Sequence, residues 1–208
     1  MSVKKDLTAI YNASDAISGG LFSTIKNSVV NTYKGYFEDK FNDLINKLLN
    51  EKITEDYILS WIDNLGPIDK DIYFTILNKN LLSETKIKTF LLSKILFAKM
   101  TNDNLDYFHS NLLTNIDLFV EEDFNNFFTL CNSSETNEIS QNQTDLKIHS
   151  SNFPSLSYQI TISKLRSIGI LSPDTSYIQE WGTVGFNYFS ITENFEKLKL
   201  YVNSYYQS

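Results

Sequence analysis

The chain has 208 residues, 42% of them apolar and 14% aromatic, which is enough to bury a sizeable core and excludes a wholly disordered protein. Lys and Arg number 18 against 25 Asp and Glu, for a net charge of -7, and Arg166 is the only arginine, so the composition does not favour a broad polyanion-binding surface. Three Pro and seven Gly leave few obligatory breaks, and the single Cys131 excludes an internal disulfide framework; a mainly α-helical fold is expected.

In chain order, residues 4 to 17 read as a short helix with Leu7, Ile10, Tyr11 and Ile17 as apolar points, closed by Gly19 and Gly20. The strongest pattern follows. Phe22, Ile25, Val29, Tyr33, Phe37, Phe41, Leu44 and Leu48 recur at steps of three or four. That spacing predicts one apolar stripe along a helix of about thirty residues, roughly 45 Å long. Thr54 is a natural cap for the next helix, whose face is Tyr57, Ile58, Trp61, Ile62 and Leu65, and Gly66-Pro67 is expected to stop it. A helix over 69 to 80 comes next. Ser83 is expected to cap KIKTFLLSKILFAKM, which is apolar on much of its circumference and therefore belongs at the centre of a bundle. Asp103 to Ile116 forms another helix. VEEDFNNFFTLC then places Glu121, Glu122 and Asp123 in a first turn, where they suit the helix dipole.

These segments define a multi-helix N-terminal domain over residues 1–131. Residues 132–152, polar and without helical period, read as a linker. Residues 153–208 then show a helix from about 155 to 168 ended by Gly169, two strands (ILSPDTSYIQEW and FNYFSI) with Gly182 and Gly185 in their turn, and a last helix capped by Thr192 with Phe195, Leu198, Val202 and Tyr205 at its apolar points. Helix, hairpin and helix make a small winged-helix-like α+β module.

A winged module raises the question of DNA. Its first helix offers Tyr158, Gln159, Lys164 and Arg166 as candidate contacts. The cations Lys164, Arg166, Lys197 and Lys199 are matched by Asp174, Glu180, Glu193 and Glu196, so the module is neutral, whereas phosphate neutralisation supplies most non-specific affinity. The hairpin and last helix are instead rich in uncharged aromatics. Tyr177, Trp181, Phe186, Tyr188 and Tyr205 form a candidate protein interface, because strand alternation buries only one face and aromatics without charge suit protein partners.

Enzyme signatures are missing: there is no Gly-rich phosphate loop, Cys-Xaa-Xaa-Cys pair, His-Glu-Xaa-Xaa-His or Gly-Xaa-Ser-Xaa-Gly elbow. His109 and His149 stand apart, and the carboxylate pairs Glu121/Glu122 and Asp69/Asp71 fall at helix starts, where capping accounts for them. No catalytic residue, cofactor or metal is expected. The N-terminal stretch MSVKKDLTAIYNASD is too polar for a signal peptide, and no window of about 18 apolar residues occurs, so a cytoplasmic location is expected. Residues 17 to 37 carry an amphipathic pattern that an interfacial membrane helix would share, but the polar face is mostly Ser, Asn and Thr with only Lys26 and Lys34 as cations, and a bundle helix predicts the same pattern.

The long early helix, KIKTFLLSKILFAKM, NLLTNIDLFVEEDFNNFFTL, LRSIGILS and FNYFSITENFEKLKLYV together resemble bacterial and prophage proteins associated with antiviral defence, the Abi-alpha (abortive infection) family being the nearest. In that group a Thr-Xaa-Xaa-Gly pattern precedes the final helix; here Thr192 is followed at that Gly position by Phe195. The resemblance implies an antiviral or prophage context and carries over no catalytic residues. The expectation is a non-enzymatic protein that acts through a protein partner or self-association. The alternative is a winged-helix transcription regulator that binds DNA as a dimer.

Overall fold

The computed structural model describes residues 7–20, 31–102, 104–134, 147–149, 155–173 and 188–207. Among them the protein is mainly helical, and the chain forms two compact units, Met1–His109 and Ser110–Ser208.

In the first unit, α1 (Thr8–Ile17) buries Ile10 and ends where Gly19 and Gly20 adopt positive φ. Gly19 N donates to Ala16 O and Gly20 N to Asp15 O, which satisfies the last carbonyls of the helix as its glycines predict. The next helix, α2 (Asn31–Asn50), carries the later half of the expected long stripe, with Phe37, Phe41, Leu44 and Leu48 all buried. The earlier half of that stripe, residues 21 to 30, lies outside the described residues. Thr54 caps α3 (Glu55–Asp63) by accepting from Tyr57 N at 3.2 Å. α4 (Pro67–Leu82) and α5 (Lys86–Thr101) pack on each other and on α2, while α1 packs on α3. The breadth of α5's apolar surface explains its place: Ile87, Leu91, Leu92, Ile95 and Leu96 are all buried, and helices lie against it on more than one side.

Two punctuation marks act differently from their expected roles. α3 ends at Asp63 with Asn64 as its cap, whereas Gly66 and Pro67 open α4 as N-cap and first residue. A proline at the first helical position loses nothing, since its missing N–H would have had no intrahelical acceptor. Ser83 closes α4, its Oγ donating to Asn80 O at 2.8 Å, and Thr85 caps α5 by accepting from Lys88 N. Two hydroxyls two residues apart both satisfy the capping rule; α4 reaching Leu82 decides between them.

α6 (Tyr107–Asn115) runs across the division between the units and tightens into a 3₁₀ turn, Ile116–Leu118. In the second unit, α7 (Glu121–Ser134) packs against α8 (Leu156–Ser167) and α9 (Glu193–Gln207). α7 therefore belongs with the C-terminal half, and the first unit ends before it rather than near Cys131. Of the expected linker, residues 132–134 finish α7 and residues 147–149 form β1 (Lys147–His149); the remainder lies outside the described residues. β2 (Leu171–Pro173) and β3 (Tyr188–Ile191) complete an antiparallel sheet of order β1-β3-β2, with Ile148 opposite Phe189 and Ser172 opposite Ser190. The turn expected between β2 and β3, with Gly182 and Gly185, also lies outside the described residues.

Gly169 ends α8 as the sequence requires. It takes φ +71, so that its N–H reaches Arg166 O and Ile170 N reaches Leu165 O. Thr192 opens α9, accepting from Phe195 N while its hydroxyl donates to Ile170 O at 2.8 Å and approaches Gly169 O at 3.1 Å. Phe195, Leu198 and Val202 of α9 are buried, and the Phe195 ring meets Phe127 of α7 at 5.0 Å.

Candidate functional site

α8 is the helix on which a DNA reader and a protein-docking module would differ, and its three faces have separate fates. Ile162 and Leu165 are buried in the core of the unit. Ser157, Thr161 and Lys164, at steps of four and three, face α7. Leu156, Gln159, Ile160, Ser163 and Ser167 are exposed.

The seam with α7 is polar and closed. Asn126 Nδ2 donates to Ser157 Oγ at 2.8 Å and to Thr161 Oγ1 at 3.0 Å. Each hydroxyl passes its own proton to an α7 carboxylate, Ser157 to Glu122 Oε1 at 2.5 Å and Thr161 to Asp123 Oδ1 at 2.7 Å. Asp123 also takes the Lys164 ammonium on Oδ2 at 2.5 Å and the Val120 N–H at 2.8 Å. The last bond explains why α7 starts where it does: the third residue of the helix reaches back to the backbone of its N-cap. The Asp123 side chain is only 4% exposed, and these three donors take the place of the water its oxygens have lost.

Lys164 is thus committed to holding α7 on α8. The fully exposed positions of α8 carry no charge and include Leu156, 71% exposed, and Ile160, 46% exposed, while Lys164 and Arg166 flank them half-buried. Of the proposed DNA contacts, Gln159 is exposed, Tyr158 is half-buried, Lys164 is paired with Asp123, and Arg166 is half-buried with its Nε shielded from solvent. The geometry therefore does not bring the four together as one free polar surface.

Of the proposed aromatic interface, Tyr177, Trp181 and Phe186 lie outside the described residues. Tyr188 stands in β3 opposite His149, but only its backbone is described. Tyr205, half-buried on α9, meets Tyr206 edge-on at 5.2 Å. Tyr206 in turn packs on Phe128 of α7 at 4.6 Å, and its hydroxyl donates to Asn125 Oδ1. Partial burial raises the Tyr206 phenol above its ordinary value, with Tyr205 and Glu121 adding to the effect. This end of the aromatic cluster is spent on packing within the unit.

Asp123 and Asn126 escaped the sequence reading. An acidic first turn already had a sufficient local explanation in the helix dipole, and nothing in residue spacing links Asp123 to Thr161 and Lys164, 38 and 41 positions later. Elsewhere, His109 is buried at the start of α6, paired with Asp106 at 2.7 Å, and Asp69 of α4 forms an ion pair with the buried Lys99 at 2.7 Å. Cys131 is buried. Among the described residues no three of His, Cys, Asp and Glu gather so as to hold a metal ion, and no helix is long and apolar enough to cross a membrane. Comparison with protein-family models, curated proteins and solved structures returned no match.

Proposed function

We propose that this chain is a non-enzymatic interaction protein whose second unit is a winged-helix-like module used to dock another polypeptide. The order helix, strand, helix, strand, strand, helix, and the sheet order β1-β3-β2, support the winged reading, with α7 supplying the helix that precedes α8. One observation carries the choice of partner: the exposed face of α8 presents Leu156 and Ile160 among uncharged polar residues, while Lys164, a cation a phosphate reader would need there, is held by buried Asp123. A transcription regulator is the competing reading. It would require Lys164 to leave Asp123, an almost wholly buried carboxylate that would keep only the Val120 and Thr161 donors.

The two readings separate in one set of measurements on the whole chain. Gel shifts against its own upstream DNA are expected to show no salt-sensitive complex. Co-precipitation from the native host, together with light scattering, is expected to show a protein partner or self-association, reduced by Leu156→Asp combined with Ile160→Asp. A complex with DNA that weakens as salt rises, and weakens further in Lys164→Met, overturns the proposal. The antiviral or prophage setting and the cytoplasmic location belong to the same proposal; the first rests on the resemblance, and the neighbouring genes test it.

A further inference from the structure

We draw no further inference here: the strongest candidate, the exposed stripe of Leu156 and Ile160 along α8, belongs to the docking surface already proposed, and nothing in the structure shows what covers it.

Discussion

Replacing Asp123 with Asn tests whether the polar seam holds the second unit together. The two side chains have the same shape, so the change removes charge without opening a cavity. Asp123 takes donors from Val120 N, Thr161 Oγ1 and Lys164 Nζ on two carboxylate oxygens; Asn retains one acceptor oxygen and turns an NH₂ towards donors it cannot bind. Hydrogen bonds to a charged group contribute about 1.5–3 kcal/mol each, and breaking a buried pair from one side costs about 3–5 kcal/mol. The Lys164 side chain is 25% exposed and can turn partly to water, which lowers the second figure. A loss of about 2–4 kcal/mol is expected. Hydrogen exchange at the amides of α8 measures it directly, because a chain of two units need not unfold in one step. Lys164→Met should cost less, since Asp123 keeps two donors, and the double mutant should show a coupling of about 1 kcal/mol or more. If Asp123→Asn alters α8 exchange by less than about 0.5 kcal/mol, the seam is incidental and the argument against a free Lys164 fails.

Four further outcomes follow from three single features. Tyr73 is fully buried, and burial raises its phenol far above the ordinary value. The folded state therefore holds this proton more tightly than the unfolded chain does: stability is unaffected by Tyr73 below pH about 10 and falls as pH rises beyond it, and Tyr73→Phe should flatten that alkaline decline in denaturation midpoints. The same variant should cost about 1 kcal/mol at neutral pH, because the bond between Tyr73 and Ser14 is lost while Ser14 Oγ still donates to Ile10 O. Gly169→Ala should destabilise α8 by roughly 1–2 kcal/mol through its positive φ alone, as nothing lies within 4 Å of the added Cβ; a neutral result in urea unfolding would contradict this. Thr54→Ala should lower stability by about 1 kcal/mol, read as a lower urea midpoint at unchanged slope.

Much of the helical order was legible because its causes are local. The glycines after α1 and α8, the hydroxyl before α3 and the stripe through Phe37, Phe41, Leu44 and Leu48 act within a turn or along one face, and all stand where the spacing puts them. The choice of Thr85 over Ser83 as a cap was not legible, since both residues obey the same local rule and only the packed end of α4 distinguishes them. The grouping of α7 with the C-terminal unit was not legible either. Its apolar face suits any helical neighbour, and a periodic pattern does not say which surface will cover it.

By itself, then, the order of amino acids determined where most of the helices lie, which sides of them are apolar, and that cations are scarce. Tertiary packing alone decided that Lys164 belongs to Asp123 and that Leu156 and Ile160 meet solvent. Backbone periodicity and capping depend on neighbours three or four residues apart, whereas the seam joins side chains more than thirty residues apart, and such a pairing exists only once two helices have been laid side by side.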